Sequence, residues 1–316
     1  MSIKLIWRSL LYNTAFAGTM YIIAGLFLYF QQTRFIFFPR ATIDTTPAAF
    51  NLPYQEVWLP VKTASKQVEK IHSWWIPVST TSDRVLLYLH GNGINIGANV
   101  AHANRFHRMG FSVLLPDYRG YGLSQGSFPT ESQVYQDAQV AWDYLVKERK
   151  IPANRIFIYG HSLGGAVAID LSVKQPDAAG LIVEGSFTSV ADMVNHQQVY
   201  RIFPIDLLLH QRFDSINKMG SLAMPVLFIH GTADWQVPAS MSQQLYQAAP
   251  QPKQIFLVPG AGHNNTAEVA GSQYFQVVQQ FVKQVENKNV TQRRGHFHAG
   301  VFPVEESVRS KDAKVN

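Results

Sequence analysis

The stretch RIFIYGHSLGGAVAIDL, Arg155 to Leu171, decides the fold. Ile156 to Tyr159 form a short apolar run rich in β-branched and aromatic side chains, which predicts a buried strand. Gly165 to Leu171 form a run of mostly small and aliphatic residues, which predicts a helix. Between them stands Gly160-His161-Ser162-Leu163-Gly164. A strand that turns at once into a helix holds the turn residue in strained backbone and lifts its side chain above the sheet. Glycines on both sides let the neighbouring backbone pass close by. Ser162 is therefore the expected nucleophile, although a glycine-rich turn with a solvated serine would use the same residue types.

Two later segments supply what a serine hydroxyl lacks. A hydroxyl is a poor nucleophile until a base takes its proton, and the base needs a third group to hold it in one tautomer. Pro225 to His230 predict a strand that ends in a turn carrying Asp234, and Ile255 to Val258 predict another that ends in a glycine-rich loop carrying His263. All three residues fall at strand ends, so one edge of a parallel sheet would gather them. Two other strand-end carboxylates compete with Asp234. Asp117 is expected to be structural, and Glu184 is the alternative acid. A further strand, Val85 to Leu89, runs into His90-Gly91-Asn92-Gly93, with His90 expected to pack structurally.

These segments resemble the α/β-hydrolases of the serine aminopeptidase-like group, and within it the membrane-anchored bud-emergence-type and α/β-hydrolase-domain proteins. The resemblance rests on LYLHGNGINIG (87–97), LLPDYRGYGLSQG (114–126), IFIYGHSLGGAVAIDL (156–171), LIVEGSFTSVADM (181–193), VLFIHGTADWQVP (226–238) and VPGAGHNN (258–265), within residues 54–286. It implies the chain order Ser162, Asp234, His263 for a triad. It also implies an oxyanion hole from the backbone N–H groups of Leu163 and of Asn92 or Gly93. No cofactor and no metal are implied. The resemblance fixes the chemistry better than the substrate, because the group includes esterases, thioesterases, lipid hydrolases and peptidases.

Around this core, short strands are expected near 54–60, 71–78, 85–90, 111–116, 155–159, 180–184, 226–230 and 254–258. Helices are expected near 97–109, 131–149, 163–174, 239–249 and 267–286. The alternation predicts an α/β fold, a mostly parallel, doubly wound, eight-stranded sheet opened by an antiparallel pair. Residues 186–221 interrupt the alternation and predict a small cap. Its apolar segment Val199 to Leu209 is a candidate wall for an acyl pocket.

At the other end of the chain, residues 10–30, LLYNTAFAGTMYIIAGLFLYF, carry no charge. As a helix they extend roughly 30 Å, the thickness of a hydrocarbon core. No small-x-small cleavage site follows, which argues for an anchor over a signal peptide. Lys4 and Arg8 precede the run and Arg34 and Arg40 follow it, so the basic residues barely choose an orientation. The weak preference places the catalytic domain on the non-cytoplasmic side. Residues 31–53 are expected as a juxtamembrane linker, with Arg34-Phe35-Ile36-Phe37-Phe38-Pro39-Arg40 at the headgroup boundary, rings toward the acyl region and guanidiniums toward phosphates.

The length of 316 residues fits one large domain with an attachment, and the 47% hydrophobic content can bury a sheet. The absence of cysteine excludes disulfides and thiolate chemistry. The net charge of +6 suits an anionic membrane surface better than nucleic acid, for which no motif is present. The expected partners are a small-molecule or lipid acyl substrate and membrane lipids. Residues 287–316 are polar and expected to be disordered, with His296 and His298 solvated rather than metal-binding. A peptidase, an acyltransferase and a non-catalytic membrane scaffold are the alternative functions.

Overall fold

The computed structural model describes residues 3–78, 83–197 and 199–298, with the side chains of Val199, Arg201 and Lys288 onward outside the described residues. The chain opens with α1 (Ile3–Ile36) and continues through β1 (Phe38–Pro39), β2 (Gln55–Lys62), β3 (Val68–Ile76), β4 (Val85–Leu89), β5 (Gly93–Ile94), α2 (Val100–Arg108) and β6 (Ser112–Pro116). Then follow α3 (Glu131–Asp143), β7 (Ile156–His161), α4 (Leu163–Lys174), β8 (Gly180–Glu184), α5 (Val190–His196) and α6 (Ile205–Leu208). The last elements are β9 (Val226–Gly231), α7 (Ala239–Ala248), β10 (Lys253–Val258), α8 (Thr266–Ala270) and α9 (Ser272–His298).

Eight strands form one sheet in the order β10-β9-β8-β7-β4-β6-β3-β2. β2 pairs antiparallel with β3, and β3 with β6, while the remaining pairs are parallel. The central strands β4, β7, β8 and β9 are buried along their whole length, which is why they read as continuous apolar runs rather than alternating ones. Helices cover both faces. α3, α4 and α7 pack on one side through Trp142, Val167 and Leu245. α2 and α9 pack on the other through Phe106, Tyr274 and Phe281. α3 begins with a capping box, in which Thr130 and Gln133 satisfy each other's backbone N–H groups. The expected fold class therefore stands.

Three boundaries differ from expectation, each for a physical reason. First, α1 runs over 34 residues, well past the uncharged stretch at both ends, because nothing between Ile3 and Ile36 breaks a helix. Second, residues 31–53 are not a linker. Phe37 is fully buried in the core beneath Phe213, β1 pairs in parallel with β5, and the Asn95 side chain donates to the carbonyls of Arg40 and Thr42. Arg34 stacks over Phe128 and Arg40 pairs with Asp44, and both arginines stay exposed. Third, the predicted helix over 267–286 is two helices, split at Gly271, whose φ of 55° suits a residue without Cβ. The second of them, α9, continues to His298, so the expected disorder does not begin at 287. Residues 299–316 and the side chains of His296 and His298 lie outside the described residues.

Candidate active site

β7 delivers Ser162 at φ 54° and ψ −122°, a left-handed conformation that costs a non-glycine residue about 1–3 kcal/mol. Close approach on either side explains the flanking glycines. A Cβ on Gly160 would lie 2.2 Å from the Gly164 carbonyl oxygen, and one on Gly164 would lie 2.1 Å from that of Leu89. Any larger residue would push the turn out of shape.

β9 and β10 bring the other two expected residues to the same edge. His263 Nε2 lies 2.9 Å from Ser162 Oγ, and His263 Nδ1 lies 2.6 Å from Asp234 Oδ2. All three side chains are buried. The other carboxylate oxygen of Asp234 accepts the backbone N–H groups of Gln236 and Val237, both at 2.9 Å. Burial works against charge on Asp234. Hydrogen bonds from His230, His263 and Val237 outweigh it and hold the carboxyl well below the usual carboxylate range. An ionised Asp234 fixes the proton of His263 on Nδ1, leaving Nε2 as an acceptor for the serine proton.

The loop after β4 sits over the serine. Asn92 and Leu163 both line the cavity in front of Ser162, while the alternative donor Gly93 is paired into β5. The Asn92 side chain donates to the carbonyl of Ile36 at the end of α1 (2.8 Å). Leu163 opens α4, where an N–H has no partner within the helix. Beneath the loop, His90 Nε2 lies 3.0 Å from Asp117 Oδ1 and Tyr118 donates its hydroxyl to the His90 carbonyl. Tyr121 donates to the Asn92 carbonyl at 2.6 Å. Asp117 and His90 thus pack under the loop as expected of structural residues.

Glu184 is not brought to His263 as an acid. It is buried and accepts from Tyr159 (2.8 Å), Tyr274 (2.7 Å) and Thr266. Two histidines that the sequence did not single out flank the site. His230 Nε2 lies 3.2 Å from Asp234 Oδ2, and its Nδ1 lies 2.6 Å from Ser242 Oγ. The hydroxyl can donate to Nδ1, which leaves the Nε2 proton for Asp234 and the Val237 carbonyl. His161 Nε2 lies 3.1 Å from the backbone oxygen of His263. Burial lowers its affinity for a proton, so the ring is neutral and donates to that carbonyl. Their position was the available signal, since each stands beside or four residues before a triad member.

A cavity of about 480 Å³ opens in front of Ser162 and His263. The cap contributes Met193, Tyr200, Ile205, Leu208 and Leu209, so the apolar segment expected as an acyl wall does line it. Its opposite wall was not foreseen. Leu28, Gln32, Phe35 and Ile36 of α1 line the same cavity, spaced along one helix face. Among the described residues, no Asp or Glu lines the cavity, Glu184 and Asp206 included.

A family model described as serine aminopeptidase, S33, matches residues 80–215. Protein bem46 of Schizosaccharomyces pombe is 33% identical over 293 residues, which cover 88% of this chain and 94% of that protein. The chain belongs to the α/β-hydrolases. A protein of Saccharomyces cerevisiae described as a membrane protein is 31% identical over 269 residues, covering 81% of this hydrolase and 90% of its own length. Among solved structures, an esterase of Pyrococcus furiosus superposes with a TM-score of 0.63 at 21% identity, covering 79% of this hydrolase and 97% of that chain. That likeness carries the fold. Among the described residues of this α/β-hydrolase, one helix, α1, is long and apolar enough to cross a membrane.

Proposed function

We propose that this hydrolase is a membrane-anchored serine enzyme that cleaves carboxylic ester or thioester bonds of acyl substrates. The observation that carries the reading is the relay Ser162–His263–Asp234 opening into a cavity with an apolar cap wall. Ser162 Oγ attacks the carbonyl carbon while His263 Nε2 takes the hydroxyl proton. The backbone N–H groups of Asn92 and Leu163 hold the oxyanion. His263 returns the proton to the leaving alcohol or thiol. A water, deprotonated by the same imidazole, then releases the acid from the acyl-enzyme. Asp234, steadied by His230, stabilises the imidazolium in both halves.

The family description favours a second reading, an aminopeptidase. A substrate amine needs an anionic partner in the pocket, and among the described residues no carboxylate lines it. The neutral lining favours acyl chains, each buried methylene of which contributes about 0.8 kcal/mol. α1 serves as the anchor, with Lys4 and Arg8 on the cytoplasmic side and the hydrolase domain on the opposite face. Parallel assays with p-nitrophenyl esters, acyl thioesters and aminoacyl amides test the choice. The account expects turnover of the esters or thioesters, and turnover confined to aminoacyl amides would replace it with the peptidase.

A further inference from the structure

The cap does not merely sit near the anchor but lies along it. The Tyr21 ring stacks on Phe203 at 5.1 Å between centroids, and the Tyr21 hydroxyl donates to the carbonyl of Ile202 at 2.7 Å. Eleven residues further along α1, Gln32 is buried against the cap. Its Nε2 donates to the Leu208 carbonyl at 2.6 Å, and its Oε1 accepts the N–H groups of His210 (3.0 Å) and Gln211 (3.2 Å). The cap exposes large apolar side chains, Leu207 at 79% and Ile202 at 69%, with the exposed Asp206 beside Leu207. Trp235, 83% exposed at the cavity mouth, and the exposed Phe35 and Phe38 extend the same character around the opening.

The geometry of α1 gives this contact a depth. Ser9 to Thr33, between Arg8 and Arg34, carry no charge. A hydrocarbon core needs about 20 residues of upright helix. Sliding that window within the uncharged run puts its domain-side limit between Leu28 and Thr33. Tyr21 then lies about 10–18 Å inside the hydrocarbon, at 1.5 Å per residue, and the residues stacked on it lie there too. Irregular backbone survives at such a depth only where its polar groups find partners within the protein. Tyr21 and Gln32 supply partners to Ile202, Leu208, His210 and Gln211.

We propose that α1 holds the cap inside one leaflet of the bilayer and that the active-site cavity opens between them to the acyl region. The substrate is then a bilayer-resident acyl amphiphile, whose chain enters laterally while its ester or thioester reaches Ser162 near the headgroup level. This rests on the serine-hydrolase reading for the chemistry, but the placement of the cap stands independently of it.

The chain has no cysteine, so Ile202→Cys, Leu207→Cys and Lys147→Cys each create one labelling site. Lys147 is an exposed control just after α3, at the opposite end of that helix from Glu131, which accepts from Arg212 and Phe213 beside the cap. The full-length variants are labelled with bimane in phosphatidylcholine vesicles, with and without acyl-brominated phosphatidylcholine, and fluorophosphonate labelling is measured on the same samples. Bromolipid should quench the labels at 202 and 207 by about twofold or more and leave 147 unchanged, as expected of sites within the acyl region. Labels at 202 and 207 that are quenched by aqueous iodide and not by bromolipid would overturn the placement, with fluorophosphonate labelling intact. Bromolipid quenching without fluorophosphonate labelling would support the placement and contradict the serine-hydrolase reading instead. The substrate half is tested with 4-methylumbelliferyl palmitate in the same vesicles. Its turnover should fall in proportion to its mole fraction in the bilayer at constant bulk concentration. Turnover that follows bulk concentration alone would overturn lateral access.

Discussion

Asp234 Oδ2 is shared by two histidines, with His263 Nδ1 at 2.6 Å and His230 Nε2 at 3.2 Å. The first contact orients the base and the second holds the acid. His230 touches no substrate and acts as a positioning residue, so its removal should weaken the site without emptying it. His230→Leu should lower kcat by about ten- to a hundredfold, because one charge-assisted hydrogen bond of about 1.5–3 kcal/mol to Asp234 is lost. KM for a p-nitrophenyl ester should stay the same, because His230 does not line the cavity. An unchanged kcat in a folded His230→Leu protein would assign His230 a purely structural place.

The end of α1 is built into both the core and the cavity, so a chain starting at Ala41 should be damaged beyond the loss of its anchor. It lacks Phe37 from the core and Leu28, Gln32, Phe35 and Ile36 from the cavity wall. Phe37→Ala in the full chain should cost about 3–5 kcal/mol in stability. The shortened chain should aggregate or lose most activity even on soluble esters. Full kcat/KM of a soluble, folded chain from Ala41 toward p-nitrophenyl acetate would show that the wall is dispensable.

His102 is a buried histidine whose pKa is lowered to about 3, first by burial and then by Arg105 and His161. The unfolded chain takes up that proton near pH 6.5 and the folded chain does not, so this contribution is complete above pH 6.5 and lost as pH falls toward 3. At pH 5 the loss amounts to up to about 2 kcal/mol. His102→Gln, which can keep the contact to the Tyr88 hydroxyl, should flatten the fall in Tm between pH 7.5 and 5. An equal fall in both proteins would place the acid sensitivity elsewhere.

The triad was legible because each member ends a strand beside glycines within a few residues, so local sequence carries the geometry. The sheet was legible for the same reason, since β4, β7, β8 and β9 are continuous apolar runs. The double use of α1 was not. A face that meets lipid and a face that meets a cap are both apolar, so no periodicity separates them. Gln32 was the one mark of the packed face, and its partners at 208–211 lie far along the chain. Phe35, Phe37 and Phe38 read alike in sequence. Only the pairing of β1 with β5 sends Phe37 inward and leaves its neighbours exposed.

Chain-length preference follows from the apolar cavity. Across p-nitrophenyl esters from acetyl to octanoyl, each assayed as monomer, kcat/KM should rise by about threefold to fourfold per methylene until the cavity is filled. A steady fall along the series would favour a small-ester substrate and remove the acyl-pocket argument.

The central claim is that Ser162 is the nucleophile of a working Ser162–His263–Asp234 relay. Its most direct test is mass spectrometry of the full-length protein after reaction with a fluorophosphonate. The account predicts a single adduct on the peptide containing Ser162, absent in Ser162→Ala, and a loss on the order of 10³–10⁴ in kcat for Asp234→Asn. An adduct on another residue, or ester turnover by Ser162→Ala close to that of the unaltered chain, would contradict it.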